Sequence, residues 1–128
     1  MPQNYVKRIL NARIYDLVVE TPVDEAAQLS QRLGNRVLLK REDLQPVFSF
    51  KLRGAYNKML CLSEEQLAKG VVAASAGNHA QGLAMAAKKL GVKAIIVMPT
   101  TTPQIKVNAV RARGPKLVLQ GDTYDEAS

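Results

Sequence analysis

Val71-Val72-Ala73-Ala74-Ser75-Ala76-Gly77-Asn78-His79-Ala80-Gln81-Gly82-Leu83-Ala84-Met85-Ala86-Ala87-Lys88-Lys89-Leu90-Gly91 reads as strand, tight turn and helix in succession. The apolar run 71–74 suits a buried strand, small residues and Gly77 suit the turn, and Gly91 suits a helix stop. Downstream the alternation repeats. Ala94 to Met98 reads as a second buried strand, and Thr102-Pro103 opens a helix running through Arg113 to Gly114. Lys116 to Leu119 then reads as a third strand. This βαβαβ order predicts an α/β fold with a right-handed parallel sheet. Ligand-binding loops of such a sheet lie at the carboxyl ends of its strands, where Ser75 to Asn78 falls.

Working back toward the amino terminus, Tyr5 to Tyr15 reads as a short helix with Val6, Ile9 and Leu10 on one side. Asp24 to Leu33 reads as another, closed by Gly34, and Val37 to Lys40 as a strand. Glu42 and Asp43 follow. As adjacent carboxylates they could be taken for an acid/base pair, but neighbours just past a strand face different directions, which favours turn and salt-bridge residues. The Gln45-Pro46 loop then delivers Ser49-Phe50-Lys51-Leu52-Arg53-Gly54-Ala55-Tyr56. Ser49 suits an N-cap, and Leu52, Ala55, Tyr56, Met59 and Leu60 recur at helical spacing. Lys51 therefore falls in a first helical turn. The positive potential there, with desolvation beside Phe50, favours a neutral nucleophilic amine. Taken without its neighbours, a lysine at such a position is far more often a solvated surface charge. Ser63-Glu64-Glu65-Gln66 is a capping box for a short connecting helix.

The 75–82 turn carries its own chemistry. Its backbone N–H groups, converging at a helix N-terminus, suit a carboxylate or phosphate, and Asn78 adds a side chain that both donates and accepts. The same glycine also fits a tight connection needed for geometry alone. His79, the sole histidine, invites a general-base role, but its place at a helix start favours a packed, partly exposed imidazole. Gly77 and Gly82 are followed by Leu83-Ala84, so neither the dinucleotide nor the P-loop glycine pattern is present.

Taken together, Leu39-Lys40-Arg41-Glu42-Asp43-Leu44-Gln45, the 49–55 and 74–82 segments, and Lys93-Ala94-Ile95-Ile96-Val97-Met98-Pro99 resemble the amino-terminal part of the biosynthetic threonine dehydratase (threonine deaminase) family. These are fold-type II, tryptophan-synthase-β-like pyridoxal-phosphate enzymes, and the resemblance runs from about Tyr5 to Ser128. Serine dehydratase and serine racemase share the core pattern. The resemblance implies a three-layer parallel sheet, incomplete in this chain, and pyridoxal 5'-phosphate as cofactor. It also implies residue roles. Lys51 matches the lysine that bonds the cofactor covalently and then moves the substrate's α-proton, while Phe50 matches a residue packing on the cofactor ring. Asn78 matches the asparagine hydrogen-bonding the cofactor's phenolic oxygen. Ser75, Ala76, Gly77, Asn78 and His79 match the loop holding the substrate carboxylate. The implied reaction is β-elimination of water from threonine, after which the enamine hydrolyses to 2-oxobutanoate and ammonia for isoleucine synthesis.

The family places a glycine-rich phosphate cradle and a polar partner for the pyridine nitrogen well downstream of the asparagine loop. Here only Gly114 and Gly121 follow Gly91, and Thr123-Tyr124-Asp125-Glu126 opens a helix just before Ser128. The expectation is a fragment. Residues 1–56 would belong to the larger catalytic domain and 57–128 to the smaller one, with little or no activity from this chain alone. The family also implies a homo-oligomer, a tetramer for the intact enzyme.

Composition sets the remaining bounds. The formal charge is +7, with ten bases against six acids in residues 1–60 (+4) and eight against five afterwards (+3). Such even spread, without a basic tail or aromatic ladder, argues against a nucleic-acid partner. A lone Cys61 makes no internal disulfide, no apolar stretch is long enough for a membrane span, and Met1-Pro2-Gln3-Asn4 lacks leader features. The expected setting is cytoplasmic, with a small amino acid as substrate and no metal. Met59, Met85 and Met98 read as core filling.

Overall fold

The computed structural model describes residues 4–127; Met1 to Gln3 and Ser128, and the readings that touch them, lie outside the described residues. The parallel sheet forms as the alternation of apolar runs and helical stripes dictates. Strands β3 (Val71–Ala74), β4 (Ala94–Met98) and β5 (Lys116–Leu119) lie in the order β3-β4-β5, with Val71 opposite Ala94 and Ile95 opposite Lys116. Helix α5 (Asn78–Leu90) connects the first pair and α6 (Gln104–Arg111) the second. The two helices touch, so they cover one face of the sheet.

That face is the core. Ala94, Ile96 and Met98 alternate inward from β4 and meet Ala80, Leu83, Ala84, Ala86 and Ala87 of α5 and Val107 and Val110 of α6. Tyr56 and Met59 reach the same cluster from α3 (Lys51–Leu60), which packs against α5. The inward residues of α5 are mostly alanine, which lets helix, sheet and α3 approach closely. Gly91 ends α5 in the left-handed region at φ 67°, as its place in the sequence predicts. The short α4 (Glu64–Lys69) opens with the predicted capping box: the Ser63 hydroxyl accepts from Gln66 N at 3.2 Å, and Gln66 Oε1 accepts from Ser63 N at 2.9 Å.

The amino-terminal third departs from the sequence expectations in detail. The helix expected over Tyr5 to Tyr15 is two pieces, α1 (Tyr5–Leu10) and a 3-10 turn (Arg13–Asp16). The helix expected from Asp24 begins later, as α2 (Ala27–Leu33), because Val23–Glu25 forms β1, antiparallel to β2 (Leu38–Lys40). Long-range pairing overrides the local preference there. A second 3-10 turn, Glu42–Leu44, leads to the Lys51 helix. A short α7 (Tyr124–Ala127) follows β5. Thr123 Oγ1 accepts from Glu126 N at 3.3 Å, and the Glu126 carboxylate accepts from Asp122 N at 2.7 Å.

Candidate active site

Helix α3 begins at Lys51, as its apolar stripe predicts, and buries Leu52, Ala55, Tyr56 and Met59. The cap differs from expectation. Phe50 occupies the N-cap position without a capping side chain, and the buried Ser49, one residue earlier, accepts from Lys51 N at 3.3 Å. Leu52 is fully buried against Val18 and Val47, so the backbone carrying Lys51 is pinned from below. The Lys51 side chain itself is exposed, with Nζ 5.0 Å from the centre of the exposed Phe50 ring. The apolar enclosure expected around it is therefore not supplied by Phe50; both side chains face open space.

The second turn lies at the carboxyl end of β3. Ser75 N donates to Val97 O, tying the turn to β4, and the Ser75 hydroxyl accepts from Gly77 N at 3.4 Å and Ala80 N at 3.2 Å. No side chain caps α5 at Gly77. Among the described residues the N–H groups of Ala76, Asn78 and His79 make no hydrogen bond, and the side chains of Asn78 and His79 are exposed and likewise unbonded. Three free donors and an amide at the N-terminal end of a 13-residue helix constitute an anion-binding arrangement.

Gly82, one helical turn beyond Asn78, brings these two turns together. A Cβ built on it would lie 3.2 Å from Leu52 N, 3.3 Å from Leu52 Cα and 3.3 Å from Lys51 C. The first turn of α3 is thus seated directly on α5. An exposed primary amine, an exposed aromatic ring, an amide and free backbone donors share one end of the structure, a donor set that fits a phenolic aldehyde cofactor and a carboxylate substrate. Gly114 and Gly121 adopt positive φ, at 89° and 71°.

Glu42 is the turn and salt-bridge residue expected, but its side chain is largely buried and not on the surface. It does not pair with Asp43. Its two carboxylate oxygens each accept at 2.8 Å from Arg53, two residues after Lys51, and one also accepts from the Thr21 hydroxyl at 2.7 Å. The buried Gln45 side chain joins this network and bonds both the N–H and C=O of Val19. Arg53 holds the Glu42 carboxyl down at about 2 against the opposing effect of burial, with the Thr21 hydroxyl assisting. Asp43 turns outward to Arg41, which also reaches Asp24. The spacing of Glu42 and Arg53, eleven residues apart across a loop, gives no local signal of their pairing.

Comparisons with known proteins find relatives over nearly the whole chain. The biosynthetic, chloroplastic threonine dehydratase of Arabidopsis thaliana is 60% identical over 123 residues, covering 96% of this chain and 21% of the relative. The L-threonine dehydratase biosynthetic IlvA of Escherichia coli is 55% identical, over 96% of this chain and 24% of its own length. The chain thus spans between a fifth and a quarter of these curated relatives. The processed threonine deaminase isoform 2 of Solanum lycopersicum superposes with a TM-score of 0.91 at 59% identity, covering 97% of this chain and 34% of that one. Maize serine racemase is more distant, at TM-score 0.87 and 37% identity over 94% and 36% of the two chains. These likenesses include fold-type II neighbours, and the family described as pyridoxal-phosphate dependent enzyme matches residues 14–128, so the chain belongs to that family.

Proposed function

We propose that the intact protein carrying this segment is a pyridoxal-phosphate-dependent L-threonine dehydratase that forms 2-oxobutanoate and ammonia as the first step of isoleucine synthesis. The observation that carries the reading is the seating of the Lys51 turn on α5 at Gly82, one helical turn from Asn78. The identity of 55–60% to threonine dehydratases of plants and bacteria supports threonine over serine.

When bound, the cofactor supplies an electron sink for negative charge at the substrate's α-carbon. The chain's own residues would do the rest. The Lys51 amine would hold the cofactor's aldehyde carbon and, once released, move the α-proton at Nζ. Phe50 would pack on the cofactor ring and Asn78 would hydrogen-bond its phenolic oxygen. The N–H groups of Ala76, Asn78 and His79, with the Ser75 hydroxyl and the open backbone at Gly77, would orient the substrate carboxylate. The division at residue 56, a homotetramer and a cytoplasmic setting are parts of the same proposal. So is the inactivity of the 128-residue chain by itself.

The test is threonine-dependent 2-oxo acid formation by the intact protein beside Lys51→Ala and Asn78→Ala. Lys51→Ala is expected to lose at least roughly a thousandfold in kcat, and Asn78→Ala less. Equal turnover by Lys51→Ala and the natural sequence would refute the assignment. Serine turnover that exceeds threonine turnover would instead move the substrate to the serine enzymes.

A further inference from the structure

The Lys51 peptide is held on three sides. Ser49 Oγ accepts its N–H, the Leu52 side chain is anchored among Val18 and Val47, and Gly82 abuts the Lys51–Leu52 peptide bond. The last contact is the closest. At 3.2–3.3 Å an added Cβ would be tighter than ordinary van der Waals contact, and the three atoms nearest to it are backbone, so no side chain swinging away relieves those contacts. Gly82 has no positive φ to explain a glycine there; space does. By contrast Gly54, exposed on the same α3, has nothing within 4 Å of its Cβ position.

On the other helix, Gly82 lies four residues after Asn78 and therefore beneath it on one face. The Ser75 hydroxyl fixes the turn in front of that face through Gly77 N and Ala80 N. Each reacting turn is thus fixed by its own serine, and the two are fixed to one another at Gly82. We propose that Gly82 is a positioning residue whose missing side chain sets the spacing between the Lys51 amine and the Asn78 turn. This rests on the roles of Lys51 and Asn78 proposed above. Adding one methyl would displace the first turn of α3 by a few tenths of an ångström, and misplacement of that size slows a reaction between prealigned groups by roughly tenfold.

The experiment uses the intact protein and pyridoxal phosphate, comparing the natural sequence with Gly82→Ala, Gly54→Ala and Lys51→Ala. Borohydride reduction at set times after cofactor addition, followed by peptide mapping, gives the rate of covalent linkage at Lys51. Thermal unfolding of the cofactor-free proteins is followed in parallel. Gly82→Ala should fold cooperatively and link roughly tenfold more slowly, Gly54→Ala should match the natural rate, and Lys51→Ala should not link at that position. If the natural sequence does not link at Lys51, the functional reading falls and the positioning role falls with it. If it links and Gly82→Ala links equally fast, only the positioning role falls. Loss of fold in Gly82→Ala, or equal slowing in Gly54→Ala, would also overturn it, assigning Gly82 to the core or the effect to α3 as a whole.

Discussion

Glu42 is two-pronged toward Arg53, at 2.8 Å on each oxygen, and its carboxyl titrates near 2 where 4.5 is usual. A carboxyl with a depressed folded pKa contributes stability that is complete above its unfolded value and lost as pH falls toward the folded one. The contribution therefore fades between pH 4.5 and about 2. Replacing Glu42 by Gln keeps the shape and removes the charge. That variant should lose about 2 kcal/mol at neutral pH, in keeping with hydrogen bonds to charged groups, and show a shallower fall in stability below pH 4.5. Urea unfolding midpoints measured from pH 7 to pH 2 decide this, and parallel curves for the two proteins would refute it. At this scale the sequence is uneven evidence. The positions of Lys51 and Asn78 are legible because helix-start and strand-to-helix patterns are local, whereas the roles proposed for them rest on the family resemblance. The pairing of Glu42 is not legible, because it depends on Arg53 and Thr21 folding back across the chain.

Among the elements, the loop between the Glu42–Leu44 turn and α3 carries the least comfortable backbone. Phe48 has φ 55°, the one positive φ outside glycine among the described residues, and Phe48 N donates to Gln45 O at 2.7 Å to close the turn. Its ring is 75% exposed, so burial returns little for the strained conformation. Asparagine adopts left-handed backbone more readily than phenylalanine. Phe48→Asn should accordingly stabilise the fold by about 1 kcal/mol, read as a higher unfolding midpoint without loss of cooperativity. A lower midpoint would mean that the ring contributes packing beyond its exposed surface. The same scale explains which elements were legible. The βαβαβ run writes its strands as apolar runs and the end of α5 as Gly91, whereas α6 stops at Arg111 with Ala112 as its cap, short of the expected Arg113–Gly114 end. Val23–Glu25, with two acids in three residues, looks like the start of a helix and becomes a strand only because Leu38–Lys40 lies beside it.

Across the whole molecule, the parallel sheet is clothed on one face. On the other, Val72 is 70% exposed and its register neighbour Ile95 is 37% exposed, with β3 at the sheet's edge. The alternation of β4 records this division, since Ala94, Ile96 and Met98 are buried while Ile95 is exposed and Val97 half-buried. Sequence periodicity predicts a sheet of this kind but not what lies on each face, because a continuous apolar strand reads the same in either case. An apolar face beside an open strand edge attracts another copy, whereas the net charge of +7 repels one. These two forces respond oppositely to salt. Screening suppresses the repulsion beyond a Debye length, about 8 Å at physiological ionic strength, and leaves the apolar attraction intact. The 128-residue chain should therefore self-associate more strongly as salt rises, and Val72→Lys, which places a charge on the bare face, should weaken that association. Sedimentation equilibrium at low and high salt separates the cases. Association that falls with salt and ignores Val72→Lys would mean that complementary surface charges hold the copies together, and that the bare sheet face does not.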